Sequence, residues 1–330
     1  MTSAPNTPLV CVELMTNRQH GLAGVLWRHA PGNAASLQAW LASDDYKAVA
    51  ERVPCVWEAT TTQAWPEPMQ QLLADTRSRT AGPESFLHSG TEVPPQWPAH
   101  VEWSLGRWYT QPPAKPTAAQ AASRSTALQL LQLVANDADT HEIEEVFRHD
   151  ATLSYQLLRI VNSLAMGGQR QITSFGQAIL MMGRQPLRRW LHLLLFAARD
   201  DDARSSLLMA HVILRARGLE LLACEAGMDR TGQDQAFMAG MFSMLGVLFG
   251  LPLEQVLRPL QLSDEALDAL LHHQGTIGQL LDLWEAMENA APTLMAERLA
   301  KTPITASTFN QVLLQACDWM LNITLGHATA

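Results

Sequence analysis

The sequence predicts a mainly α-helical protein in which a small α/β module, residues 1–115, precedes an all-α domain, residues 116–330. Three observations support this fold class. The chain has 330 residues and is 47% hydrophobic, which is enough for two domains with separate cores. Thirteen of 18 prolines and seven of ten tryptophans lie in residues 1–116. The remainder is rich in Leu, Ala and Met, and this change in composition predicts a domain boundary.

The first module alternates short apolar runs with helical patterns. Runs of β-branched and apolar residues between turn residues predict strands, and apolar residues at steps of three and four predict helices. The strands are predicted at residues 9–15 and 52–58, and the helices at residues 34–42 and 67–78. The proline-rich run 111–116 disfavours helix and predicts an extended linker to the second domain.

The second domain has helical spacing throughout and no alternating strand pattern. Thr140 and Ser263 are predicted N-caps, since acidic residues follow each of them. Long helices are predicted at residues 205–226, 266–272 and 308–321, and further ones between 150 and 198. The uncharged stretch 236–253 contains three glycines and a proline. It therefore predicts helix buried in a core rather than a membrane span.

Composition and charge exclude several classes of protein. Lys and Arg number 23 against 32 Asp and Glu, giving a net charge of −9 and a pI of about 5.6. A protein that binds the nucleic-acid backbone would be basic. The four cysteines form no CxxC pair, which argues against a zinc ribbon. The N-terminus has no basic or apolar signal-peptide pattern. We therefore expect a cytoplasmic protein with no nucleic-acid partner and no membrane insertion.

Five stretches of the second domain follow the block order of a known family. Residues 150–163 read D-A-T-L-S-Y-Q-L-L-R-I-V-N-S, and residues 172–183 read I-T-S-F-G-Q-A-I-L-M-M-G. Residues 187–191, 215–223 and 237–245 add three matches in the same order. Over about residues 117–305 the chain thus resembles an HDOD domain, the helical signalling relative of HD-type phosphohydrolases. The resemblance implies a helical fold and a role in signalling.

Two stretches of the first module resemble the EAL-type cyclic di-GMP phosphodiesterase domain of the EAL–HDOD subgroup. Residues 17–28, N-R-Q-H-G-L-A-G-V-L-W-R, resemble its opening motif, and residues 106–112, G-R-W-Y-T-Q-P, its closing motif. An EAL domain is a TIM-type barrel, which typically needs about 250 residues, and only about 115 precede the linker. We therefore expect a shortened, degenerate remnant of that barrel.

Neither resemblance includes its metal ligands. Where HD enzymes have a His-Asp pair, this sequence has Ser243 and Met244. A hydroxyl and a thioether are poor replacements for imidazole and carboxylate at a hard, water-activating metal. Gly24 stands where the EAL glutamate would be. We therefore expect no catalytic residues, no metal, no cofactor and no enzyme activity.

A basic cluster is the candidate binding site. Arg184, Arg188 and Arg189 lie near a predicted helix start, and the first two share a helix face at i,i+4 spacing. Such a pair can hold a phosphate or carboxylate in a bidentate manner. The alternative is that these arginines are solvated or paired with acids such as those at 200–202.

These observations predict a non-catalytic bacterial signal-transduction protein. We expect it to act through protein–protein interaction of its HDOD domain, with other signalling proteins as partners. The alternative is a receptor that binds cyclic di-GMP or a related nucleotide without hydrolysing it. A third class, a residual phosphohydrolase, needs metal ligands that the motifs lack.

Overall fold

A computed structural model describes residues 7–111 except 64, 89 and 93–95, residues 126, 129, 132, 133 and 138–149, and residues 204–325 except 261. The helices predicted between residues 150 and 198, and residues 112–116 of the predicted linker, lie outside the described residues.

Six strands form one mixed sheet. They are β1 (Val10–Thr16), β2 (Leu22–His29), β3 (Cys55–Glu58), β4 (Arg79–Ala81), β5 (Phe86–His88) and β6 (Trp103–Leu105). Their order across the sheet is β4-β3-β2-β1-β6-β5. β1 runs antiparallel to both of its neighbours, whereas the β2–β3, β3–β4 and β5–β6 pairs are parallel.

Helices occupy most of the other described residues. The N-terminal part contains α1 (Ala34–Leu41), α2 (Asp44–Arg52), α3 (Ala59–Thr62) and α4 (Glu67–Asp75). The C-terminal part contains α5 (Thr140–His149), α6 (Ser205–Glu225), α7 (Arg230–Phe242), α8 (Leu245–Phe249), α9 (Leu253–Leu257), α10 (Asp264–His272), α11 (Gly275–Glu288), α12 (Pro292–Leu299) and α13 (Ala306–Leu325). Three 3-10 turns lie at Pro83–Ser85, Trp108–Thr110 and Arg258–Leu260.

Within the part of the chain that the structure describes, no single helix has the length and apolar character to cross a membrane. One bent pair, Arg230–Phe249 with Leu253–Leu260, meets both criteria when its segments are taken together, and it turns by 112°.

Most predicted elements are confirmed to within a few residues. They are the strand at 9–15 and the helices at 34–42, 67–78, 205–226, 266–272 and 308–321. The strand predicted at 52–58 begins only at Cys55, because α2 extends to Arg52. Ser263 caps α10 as predicted, and its side chain accepts a hydrogen bond from the Ala266 amide. Thr140 is instead the first helical residue, and Asp139 accepts the hydrogen bond from the His141 amide.

The predicted fold class is wrong for the N-terminal part. We expected a small α/β remnant of an EAL-type barrel in front of a mainly helical protein. The structure instead has a six-stranded mixed sheet, with α1–α4 between its strands and further helices after it. β4, β5 and β6 have three residues each, too few for an alternating pattern to be visible in a sequence. These strands exist because their neighbours supply hydrogen bonds and apolar contacts, which local sequence does not show.

The sheet is strongly curled. β4 and β5 are its two edges, yet only residues 82–85 separate them in sequence. Five peptide steps span at most about 18 Å, whereas the edges of a flat six-stranded sheet lie about 24 Å apart. Arg79 on β4 also reaches the other side, where its Nη1 lies 3.3 Å from Glu102 Oε2 and its guanidinium covers the Trp103 ring. The sheet is therefore an incomplete barrel, and Arg79 links β4 with the start of β6, the strand next to the opposite edge.

The concave face of this sheet is filled with apolar side chains, and every strand contributes. They are Met15, Leu26, Val56, Ala81, Phe86, Trp103 and Leu105. The convex face belongs to a much larger hydrophobic cluster that runs from Leu9 to Ile323 and includes the helices of the C-terminal part. The domain boundary at residue 115/116 stays a prediction. The hydrophobic cluster contains described residues from both sides of that boundary.

Asn310 on α13 connects the last helix to the first strand. Its Oδ1 accepts a hydrogen bond from the Val10 amide at 3.0 Å, and its Nδ2 donates to the Pro8 carbonyl at 2.7 Å. Its own carbonyl accepts from Trp40 Nε1 at 3.0 Å. Asn310 is buried, so the oxygen and the nitrogen of its side-chain amide and its backbone carbonyl all need hydrogen-bond partners within the protein. A single side chain thus fixes the start of β1 against α13.

We expect Asn310→Ala to lower the free energy of unfolding by about 2–6 kcal/mol. It leaves the Val10 amide and the Pro8 carbonyl buried without partners, at roughly 1–3 kcal/mol each. Urea denaturation measures the change. The control is Gln315→Ala, at an exposed position of the same helix, with an expected change within about 0.5 kcal/mol. Equal midpoints for the two variants would contradict the role given to Asn310.

Candidate functional site

A buried carboxylate on α11 is the centre of the candidate site. The Glu288 side chain is 6% exposed and pairs with Arg215 on α6, whose side chain is 3% exposed. Arg215 Nε donates to Glu288 Oε1 at 2.9 Å, and Arg215 Nη2 donates to Glu288 Oε2. This is the two-bond geometry in which a guanidinium binds a carboxylate most strongly.

The remaining nitrogen of Arg215 binds two further groups. Arg215 Nη1 donates to Ser243 Oγ at 2.7 Å and lies 3.3 Å from Glu285 Oε1. Ser243 follows α7 at the position where the sequence resemblance places the His of a His-Asp pair. Met244 beside it is buried in the hydrophobic cluster. An arginine guanidinium therefore lies against the predicted metal-ligand position, and the residues there do not fit a catalytic metal.

His211 lies one helical turn before Arg215. Its Nε2 is 3.1 Å from Glu288 Oε1, and its Nδ1 is 3.5 Å from the Tyr109 hydroxyl. Burial lowers the pKa of His211 below its ordinary value and outweighs the attraction of Glu288. The neutral ring therefore donates its Nε2 hydrogen to Glu288 and leaves Nδ1 as the acceptor for Tyr109.

The ionised state of Glu288 results from two opposing effects. Burial acts to raise the pKa of its carboxyl group. The Arg215 guanidinium and the His211 hydrogen bond act the other way and hold that pKa well below its ordinary value. Glu288 is thus a permanent buried anion at physiological pH.

Two side chains from the segment after β6 complete the group. Arg107 Nη1 donates to Asn289 Oδ1, and Arg107 Nη2 lies 3.5 Å from Glu288 Oε2. The Tyr109 ring packs edge-on against the His211 ring with centroids 5.7 Å apart. We call this group the buried charge cluster. Its members are Arg107, Tyr109, His211, Arg215, Glu285 and Glu288.

The charges of the cluster balance. Two guanidinium groups face two carboxylates, and His211 is neutral. Among residues 7–149 and 204–325, as far as the structure describes them, no three His, Cys, Asp or Glu side chains are placed to hold a metal ion. The cluster can hold elements together and exclude water, but its charged groups already have partners.

A second ion-pair group, the sheet cluster, lies on the concave face of the sheet. Its members are Glu13 on β1, Arg28 on β2 and Glu58 on β3. Arg28 Nη1 is 2.6 Å from Glu13 Oε2, and Arg28 Nε is 2.8 Å from Glu58 Oε1. Glu13 Oε1 also accepts from the Gly106 amide at 3.0 Å. These side chains are 21–36% exposed, so the sheet cluster can be reached from solvent.

Gly24 cannot be replaced by the glutamate of the EAL motif in this backbone. Its φ is +156°, and a Cβ there would lie 2.5 Å from the Pro54 carbonyl oxygen and 2.8 Å from Met15 Cε. The residue lets β2 pass close to the chain that enters β3. The acids present nearby, Glu13 and Glu58, both pair with Arg28 instead.

The predicted interaction residues Arg184, Arg188 and Arg189 lie outside the described residues. Sequence reasoning treated Arg107, Tyr109 and Arg215 only as parts of matching stretches, and it did not single out His211, Glu285 or Glu288. One signal was present: His211 and Arg215 are an i,i+4 pair inside the otherwise apolar stretch 207–216. Ionisable side chains that interrupt such a stretch indicate a buried polar contact.

Comparison with known proteins finds one family and several relatives. The HDOD domain family model matches residues 122–289. A cyclic di-GMP phosphodiesterase of Vibrio cholerae, CdgJ, is 30% identical over 198 residues, which are 60% of this chain and 45% of that protein. YuxH of Bacillus subtilis is 29% identical over 163 residues, 48% of this chain and 39% of YuxH. A solved structure of a candidate phosphohydrolase from Shewanella amazonensis covers 62% of this chain and 93% of its own, with a TM-score of 0.44 and 13% identity.

The chain spans less than half the length of the two sequence relatives. The expectation that it has no enzyme activity is contradicted by the Vibrio relative, which is named as a phosphodiesterase. That expectation depended only on the two metal-ligand positions at Gly24 and at Ser243–Met244. The name of the Vibrio relative makes hydrolysis a function to be tested.

We expect the free energy of unfolding to fall as the pH is lowered from 7.5 to 5. Below pH 6.5 the unfolded chain takes a proton on His211, whereas the folded chain, in which burial lowers the His211 pKa, does not. The slope from this residue is at most about 1.4 kcal/mol per pH unit. Glu288, whose folded pKa is also lowered, adds the same sign only below about pH 4.5.

Urea denaturation at several pH values measures this slope. His211→Gln should flatten it between pH 7 and 5, because the amide still donates to Glu288 but does not titrate. His141→Gln, at an exposed position on α5, is the matched control and should keep the wild-type slope. Parallel curves for all three proteins would show that His211 does not cause the pH dependence.

Proposed function

The chain belongs to the HDOD family, and from this premise we propose that it acts in cyclic di-GMP signalling by binding another signalling protein through its helical domain. The observation that carries the proposal is the HDOD match over residues 122–289, with a cyclic di-GMP enzyme among the relatives. The buried charge cluster supports it. The cluster holds the segment after β6 on α6 and α11, so the sheet and the helices present one joint surface to a partner.

We propose the basic cluster Arg184, Arg188 and Arg189 as the contact with that partner. It lies inside the family-matched span. Its positive charge contrasts with the net charge of −9 of the whole chain, which favours an acidic surface on the partner. Guanidinium groups at i,i+4 spacing suit carboxylates in particular.

Charge reversal tests this contact. Affinity capture from the native host with wild type and with Arg184→Glu/Arg188→Glu should recover a partner with the wild type only. The charge-matched control is Arg230→Glu/Arg258→Glu, since both of those side chains are well exposed, at 73% and 80%. The control should retain the partner, and thermal melts should show that all three proteins are folded. Equal recovery by the two double variants would place the interface elsewhere.

A second candidate function is hydrolysis of cyclic di-GMP, which the name of the Vibrio relative favours. The sheet cluster is the place to test it. It lies where β2 and β3 end, at the edge at which barrel enzymes carry their active sites, and it offers two carboxylates. Either carboxylate could act as a general base once it is released from Arg28.

The chain should be incubated with cyclic di-GMP and Mg²⁺ or Mn²⁺, and both binding and product should be measured. Under this second candidate, linear product forms with wild type and is lost in Glu58→Gln. It persists in Glu102→Gln, whose glutamate is 64% exposed and outside the sheet cluster. Binding without product would favour the nucleotide receptor. Neither binding nor product would leave protein–protein interaction as the supported function.

A further inference from the structure

Two adjacent residues of the segment after β6 connect the sheet cluster with the buried charge cluster. The Gly106 amide donates to Glu13 Oε1 at 3.0 Å, while the other oxygen of Glu13 belongs to the ion pair of the sheet cluster. Arg107 follows directly, and its guanidinium binds Asn289 and lies 3.5 Å from Glu288 Oε2. A single peptide group therefore separates a contact of one cluster from a contact of the other.

The backbone at Gly106 makes this connection depend on hydrogen bonds. Its φ is +131°, an angle that glycine adopts readily because it has no Cβ. The next amide, that of Arg107, donates to the Gly90 carbonyl at 2.9 Å. Two successive amides thus fix the direction in which the Arg107 side chain leaves the backbone. The first of them is held by Glu13, a side chain of the sheet cluster.

The other end of the connection is a strained helix terminus. Ala290 lies just after α11 with φ +47°, in the left-handed region where a Cβ crowds the backbone and where helix ends usually have glycine. The Ala290 amide donates to the Met287 carbonyl and closes the last turn. Arg107 binds the two side chains that directly precede Ala290. It is therefore placed to hold this turn closed.

We propose that Glu13 couples the two clusters: through Gly106 it positions Arg107, so that the state of the sheet cluster determines how firmly the end of α11 is held. This inference goes beyond the signalling function and does not depend on it. The Glu13 side chain is 21% exposed and that of Glu288 is 6% exposed, so the coupling leads from solvent into the interior. When Glu13 releases the Gly106 amide, Arg107 leaves the end of α11, and the strained turn there opens more often.

Hydrogen–deuterium exchange of the full chain tests this coupling, with mass spectrometry of a peptide that contains residues 284–291. Glu13→Ala removes the acceptor of the Gly106 amide, and exchange at the end of α11 should become about tenfold faster. The matched control is Glu58→Ala, which also removes a carboxylate partner of Arg28 but leaves the hydrogen bond between Glu13 and Gly106 in place. Its exchange should stay within about twofold of wild type.

Two further variants separate the coupling from a general loss of stability. Glu13→Gln keeps an oxygen that accepts from the Gly106 amide, so its exchange should stay near that of wild type although the charge is lost. Arg107→Ala should speed exchange as Glu13→Ala does. The double variant should exchange no faster than Arg107→Ala alone, because both changes break the same connection. Peptides from α13 are the internal reference and should not change.

Three outcomes of this experiment would overturn the proposal. Exchange at the end of α11 could be the same in Glu13→Ala and Glu58→Ala, α13 could share the rise equally, or the effects of Glu13→Ala and Arg107→Ala could add. If Glu13→Ala does not fold, the coupling is measured in reverse with Asn289→Ala, at an exposed position. Because coupling is reciprocal, exchange of the peptide that contains Gly106 should then become faster. An unchanged rate there would equally overturn the proposal.

Discussion

A carboxylate buried away from water needs a cation beside it. For Glu288 this requirement constrains how α6 and α11 pack together. An unpaired charge there would cost several kcal/mol, so α6 must bring Arg215 to the end of α11. The same guanidinium then reaches Ser243 after α7, and the same carboxylate lies near Arg107 from the segment after β6. Four parts of the chain are thus arranged around one ion pair.

In the sheet cluster, too, carboxylates are paired with an arginine, but these side chains are more exposed to solvent. Glu13 and Glu58 extend from neighbouring parts of the concave face, and Arg28 between them removes their repulsion. Each cluster has two glutamates, which are paired with Arg28 alone in the sheet cluster and with Arg107 and Arg215 in the buried charge cluster. The pairs of the sheet cluster are partly exposed to solvent, whereas Arg215 and Glu288 are buried.

The family assignment gives these clusters a setting. The chain is a member of the HDOD family, and one of its relatives, from Vibrio cholerae, is named as a cyclic di-GMP phosphodiesterase, of which the chain covers 45%. The curled sheet is joined to the helices by Asn310, by the shared hydrophobic cluster and by Arg107 and Tyr109. These contacts hold the described part of the sheet directly against the described helices.

The sequence by itself determined several of the helices, the first strand and the family. The cap at Ser263, the helix at 205–226 and the strand at 9–15 depend on neighbours within a few residues, so local patterns predict them. Only the tertiary structure decided the three-residue strands and the partner of Glu288. β5 and β6 are separated by residues 89–102, and Arg215 lies 73 residues before Glu288. Such pairs form because the folded chain brings the two residues close together in space. Their separation along the sequence does not predict that contact.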